Sequence, residues 1–163
     1  MARTMRRQQG AATVESAIIL IIFLVLIMGI IEFALLIFNA SSLVEATRAG
    51  ARHLIVNEPL VTLSDETCAT PAVADCADGD CDGVLGLMQK FYPRLGDVNL
   101  EVEYRCSTTG SPDAYEDIKI YEVEVRLKEV EYTFITPGIL GLDATITLPD
   151  FKTTRLSEDL ETP

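Results

Sequence analysis

Two carboxylates of this chain stand where a carboxylate is costly. Glu15 lies at the mouth of the apolar run "SAIILIIFLVLIMGIIEFALLIF", Ser16 to Phe38, and Glu32 interrupts that run. A carboxylate taken out of water must be paired or protonated. Glu15 follows Gly10 by five residues, behind the basic pair Arg6 and Arg7. One reading is that Glu15 pairs with a positive charge supplied by another molecule. The competing reading leaves Glu15 as a solvated acid at a helix start. For Glu32 the two readings are a pairing or orienting role inside an assembly, and a place near the outer interface. Only six residues separate it from Asn39.

Other residues with chemical potential lie further on. "DGDCDG", Asp78 to Gly83, has the D-x-D-x-D-G opening of a calcium loop, in which Asp78, Asp80 and Asp82 could converge on one hard cation. Its twelfth position is Gln89, where an EF-hand has a bidentate Glu, and Cys81 falls inside the loop. An acidic loop stapled by a disulfide is therefore expected, with no cofactor; calcium is the alternative. Cys68, Cys76, Cys81 and Cys106 contain no C-x-x-C pair, which argues against zinc. An even number of cysteines beyond a membrane favours two disulfides, with three connectivities open. His53, the single histidine, stands beside Arg52 and reads as a surface residue. No G-x-S-x-G, Walker loop or H-E-x-x-H occurs, and no catalytic constellation is found. The chain is expected not to be an enzyme.

The elements that must hold these residues begin with the apolar run. It is 23 residues long and apolar on every face but for Glu32. A membrane helix needs about 20 such residues to cross about 30 Å of hydrocarbon. Arg3, Arg6 and Arg7 precede it, and Glu45 is the first charge after it. The positive-inside rule then puts the N-terminus in the cytoplasm and the rest outside. An ordinary cleaved signal peptide is the rival reading, with "NASS", Asn39 to Ser42, as its cleavage site. From Asn39 onward there are 23 acids against 10 bases, so that part reads as a soluble acidic domain. The net charge of −12 argues against nucleic acid as a partner.

The helical pattern continues past the membrane edge. Ser41, Glu45, Arg48 and Arg52 share one face, and Val44, Ala51 and Ile55 a different, apolar one. Ala46, Ala49, Gly50 and Ala51 permit close approach of another element. Gly50 costs about 1 kcal/mol inside a helix, and close packing is its reason to be there. One helix is predicted from Ala12 to Val56, ended near Asn57 and Pro59. Leu60 to Gly83 reads as a stapled loop. "GVLGLMQKFYPRL" reads as a short helix with Val84, Leu87, Met88 and Phe91 on one face and Pro93 at its end.

Then the period becomes two. Leu100, Val102, Tyr104 and Cys106 alternate with Glu101, Glu103 and Arg105; Tyr121, Val123, Val125 and Leu127 alternate with Glu122, Glu124, Arg126 and Lys128. The phase then flips, so that Val130, Tyr132 and Phe134 become the apolar set, which predicts a bulge or bend near Glu129. "ATITLPDF" reads as the last strand, with Ile146 and Leu148 inward. Strands with one charged face suit an antiparallel sheet packed on a helix. The predicted class is α+β. A basic leader covers residues 1–10, a transmembrane and amphipathic helix 11–56, and a β-rich extracytoplasmic domain 57–163.

Arg6, Arg7, Gly10, Ala11 and Glu15, followed by an unbroken apolar helix, resemble the type IV prepilin signal. With the A-x-x-x-G-A-R segment from Ala46 to Arg52, the first third of the chain resembles the TadE-like family of pilus-assembly pseudopilins. An aromatic often follows the Glu in that family, and here the residue is Ser16. The resemblance implies cleavage after Gly10 by a prepilin peptidase, which would leave Ala11 as the new N-terminus; its α-ammonium in one subunit could pair with Glu15 of another and select one register of assembly. It also implies partnership with other pilin-like subunits and an inner-membrane assembly platform, with the helix in membrane lipid. The expected place is the cytoplasmic (inner) membrane, single-pass, with the C-terminal domain periplasmic or extracellular. Two rivals are a secreted acidic calcium-binding domain and a single-pass receptor or sensor module.

Overall fold

A computed structural model describes residues 2–63, 70–76, 79–106, 120–139 and 141–157. The first element, α1, is a single helix over Ala2–Leu54. It starts earlier than the predicted Ala12 and stops two residues before Val56. Asn57 closes its end, with Nδ2 donating to the His53 carbonyl at 2.6 Å. The remaining α-helices and strands are β1 (Ala72–Asp75), α2 (Asp82–Met88), β2 (Leu100–Cys106), β3 (Tyr121–Leu127), β4 (Glu131–Thr133), α3 (Ile135–Ile139), β5 (Thr145–Thr147) and β6 (Phe151–Leu156), with a 3-10 turn at Asp97–Asn99 before β2. The α+β class holds: a long apolar N-terminal helix is followed by a small antiparallel domain.

The chain forms two compact units. One joins Met1–Phe38 to Thr133–Thr145; the other joins Asn39–Tyr132 to Ile146–Pro163. The larger unit is built on a four-stranded sheet in the order β1-β2-β3-β6, with antiparallel neighbours throughout. Strict alternation in β2 and β3 puts Leu100, Val102, Tyr104, Tyr121, Val123, Val125 and Leu127 on the buried side. The phase flip is real. Glu129 takes φ 52°, a left-handed conformation rare for a side-chain-bearing residue, and Val130 and Tyr132 beyond it are buried.

The distal part of α1 belongs to this unit. Its buried stripe is Leu43, Ala46, Thr47, Gly50, Ala51 and Leu54, a helical spacing of three and four. Of the face predicted from Val44, Ala51 and Ile55, only Ala51 is buried; Val44 and Ile55 are half-buried. The two larger side chains, Leu43 and Leu54, set the buried direction instead. Ser41, Glu45, Arg48 and Arg52, predicted on one face, are all exposed. Thr47 Oγ1 lies 2.9 Å from Thr153 Oγ1, which ties α1 to β6. Gly50 is in close contact with α2: a Cβ at position 50 would stand 2.8 Å from Met88 Sδ and 3.4 Å from Val84 Cγ1. That contact is the reason for a glycine in mid-helix.

Three parts differ from the sequence reading. The stapled loop contains a strand: β1 pairs with β2 from Ala72↔Tyr104 to Asp75↔Glu101. "ATITLPDF" is not the last strand. It yields β5, which pairs with β4 in a separate two-stranded ribbon and leaves Ile146 exposed, while Leu148 is buried. The last strand is β6, hydrogen-bonded along all of β3. In α2, Val84 and Met88 point inward, but the helix ends at Met88 and Phe91 is exposed.

Candidate functional site: carboxylates of the apolar helix

Within α1, Ala12–Leu54 is long and apolar enough to cross a membrane, by length and composition. Its apolar residues from Val14 to Phe38 are largely uncovered by protein. Gly10 and Ala11 lie in the helical backbone of α1. Glu15 is exposed on it, and Ser16 Oγ donates to the Ala12 carbonyl at 2.9 Å, so this serine is spent on its own helix. Glu15 and Glu32 are 17 residues apart, about 25 Å along the axis at 1.5 Å per residue. They form two separate sites, one at the mouth of the apolar run and one inside it.

Glu32 is buried, and its carboxylate is used. Oε1 accepts the Ile135 N–H at 2.8 Å; Oε2 accepts the Thr136 N–H at 3.0 Å and the Thr136 hydroxyl at 2.8 Å. These donors belong to the first turn of α3, whose N–H groups have no partner within the helix. Pro137, next in line, has no N–H to offer. Glu32 therefore completes the start of α3, 103 residues away in sequence. Sequence reasoning missed Ile135 and Thr136. The available signal was Pro137, a residue favoured in a first helical turn.

The cysteines are oxidised where described. Cys76 and Cys81 form a disulfide, and Cys106 is disulfide-bonded. Cys68 lies outside the described residues. Of the acidic loop, Asp80 and Asp82 are exposed and Asp78 lies outside the described residues. Gly79 takes φ +88°, and Asp82 opens the first turn of α2. Among the described residues no group of three or more His, Cys, Asp or Glu is placed to hold a metal ion. His53 accompanies the end of α1, with Asn57 Nδ2 3.1 Å from its Nδ1.

The outer face of the sheet carries an ion-pair lattice. Glu103 and Glu124 stand directly opposite on β2 and β3. Like charges so placed repel, and each is answered by an arginine on its own strand. Arg105 Nη2 lies 2.5 Å from Glu103 and Arg126 Nη2 2.5 Å from Glu124. Lys128 pairs with Glu101, and Lys152 lies 3.8 Å from Glu124. Burial works against the Glu124 carboxylate, but the Arg126 hydrogen bond and charge, with Lys152 and Thr154, outweigh it. Its carboxyl is held below the usual range. On the covered face, burial pushes the Tyr104 hydroxyl up, although it accepts the Leu60 N–H at 3.2 Å.

Gly10, Glu15, Glu32 and the Ala46–Arg52 segment thus share one helix, with a small-residue face at its far end. Residues 10–52 match the model of the TadE-like protein family. The TadE-like stretch starts on Gly10 and stops on Arg52, so it takes in Glu15, Glu32 and Gly50. It does not extend into the sheet. No curated protein matches the chain, and no solved structure does.

Proposed function

We propose that this chain is a membrane-anchored, pilin-like component of pilus assembly, structural rather than enzymatic. The observation that carries the reading is the TadE-like match over 10–52 on a helix able to span a membrane. The match opens at Gly10, the residue after which a prepilin peptidase would cut. In this reading the leader, residues 1–10, is removed on the cytoplasmic side. The helix from Ala11 then anchors the subunit in the inner membrane, and the acidic domain works outside it. Other pilin-like subunits and the assembly platform are the partners.

Glu15 supplies the specificity. Its exposure on α1 leaves it open to a neighbouring subunit, and the α-ammonium of a processed Ala11 is the complementary charge. Losing one member of a desolvated pair costs about 3–5 kcal/mol, because the other charge is stranded. Glu15→Gln should still be cut after Gly10 and still reside in the membrane. It should fail to cross-link to its assembly partners in membranes. Cross-linking at the wild-type level by that variant, with the same mature mass, would refute the pairing.

A further inference from the structure

The excursion between β4 and β5 contains no charge from Tyr132 to Leu142, "YTFITPGILGL". It holds its own backbone together. Phe134 N–H donates to the Ala144 carbonyl at 2.9 Å, Leu142 N–H to Pro137 at 2.9 Å, and Gly141 N–H to Gly138 at 3.0 Å. Gly141 makes the turn with φ +75°. Two of its apolar side chains are nonetheless turned outward: Ile135 is 56% and Leu142 63% exposed. A lone exposed apolar residue is ordinary, but an uncharged segment that exposes two of them beside an apolar helix points to a contact surface.

Its location supplies the use. This segment forms one compact unit with the apolar part of α1 and is fastened to it through Glu32. Glu32 is six residues short of Phe38, the end of the apolar run. At 1.5 Å per residue that is about 9 Å inside the run. Backbone that enters a bilayer must have its polar groups satisfied by protein. Here the Ile135 and Thr136 N–H groups are met by Glu32, whose two oxygens both accept.

We propose that the segment carrying Ile135 and Leu142 is a second lipid-contacting element, which lays those two side chains among the acyl chains of the outer leaflet beside α1. The inference rests on the membrane-anchored reading. It adds a binding surface for lipid and gives Glu32 its role as the positioning residue of that surface. A helix and a side wedge together resist rotation about the helix axis in a way that a lone helix does not.

The chain has no tryptophan, so single substitutions report without background. Leu142→Trp, Ile135→Trp, Val25→Trp as the mid-span reference and Phe91→Trp as the aqueous reference are each reconstituted as the full chain. The vesicles are phosphatidylcholine brominated either high on the acyl chain or near its end. Leu142→Trp and Ile135→Trp should emit toward the blue and lose most of their emission to the high bromines. Val25→Trp should be quenched by the deep bromines, and Phe91→Trp only by aqueous acrylamide. If Val25→Trp is quenched by lipid while positions 135 and 142 respond only to acrylamide, the wedge is refuted and the anchor stands. Positions 135 and 142 shielded from both bromines and acrylamide would mean that protein covers them, which also overturns the proposal. A Val25→Trp signal indifferent to bromine would overturn the anchor and the wedge together.

Discussion

Gly50→Val tests the packing of the distal part of α1 against α2. A single Cβ at position 50 already stands 2.8 Å from Met88 Sδ and 3.2 Å from Met88 Cγ. Valine adds two methyl groups beyond that Cβ, and Met88 is fully buried, so it cannot swing into solvent. Overpacking of this kind costs about 1–3 kcal/mol. The better helix propensity of valine returns only a few tenths of a kcal/mol. The net expectation is a loss of about 1–3 kcal/mol, a fall in melting temperature of about 2–4 °C per kcal/mol. Met88→Ala alone should cost about 2–5 kcal/mol by opening a cavity. The two changes should offset each other, because valine fills what Met88 vacates. The double variant should therefore be more stable than the sum of the singles by about 1 kcal/mol or more. The assay is unfolding of the detergent-solubilised chain, followed by near-ultraviolet circular dichroism. The buried tyrosines Tyr92, Tyr104, Tyr121 and Tyr132 all report on this domain. Additivity of the two substitutions within about 0.5 kcal/mol would refute the contact.

Thiol labelling of the unfolded, unreduced protein should find no free cysteine. Cys76→Ala with Cys81→Ala should destabilise the domain by about 2 kcal/mol, since the bridge closes a short loop. Two or more reactive thiols in the wild type would count against both the bridges and an oxidising compartment. The lattice on the sheet gives an acid-side signature. Because the Glu124 carboxyl is held below its unfolded value by Arg126 and Lys152, its contribution is complete above the ordinary glutamate range. That contribution is lost as pH falls through the lowered value, so Glu124→Gln should flatten the acid limb of a stability–pH profile. An unchanged limb would show that the pair adds nothing measurable.

Much of the sheet was legible because its chemistry alternates. Glu101 to Arg105 and Glu122 to Lys128 mark one wet face, and the slip of phase at Glu129 marks the turn of the chain. Gly50 was legible for a related reason: a glycine in mid-helix needs a cause, and Met88 is that cause. The buried side of α1 was not, because small and large apolar residues occur on more than one face between Leu43 and Ile55. β1 escaped notice because "AVAD" is short and has one β-branched residue; pairing with β2 makes it a strand. β6, "FKTTRL", lacks apolar alternation, and its place is decided by β3 and by Thr47 opposite Thr153. Glu32 was singled out by cost alone. Its partners, Ile135 and Thr136, come from the other end of the chain, and no local pattern announces such a meeting.

The N-terminus of the mature protein tests the pilin-like reading most directly. Intact mass and N-terminal sequencing of the chain purified from membranes should give Ala11 as the first residue. Gly10→Val should leave only the uncut precursor, because a bulkier residue at that position obstructs the extended backbone that a peptidase needs. A mature chain that begins at Met1 or Ala2, at Ser41 or later, or that is processed normally with valine at position 10, would contradict the pilin-like reading.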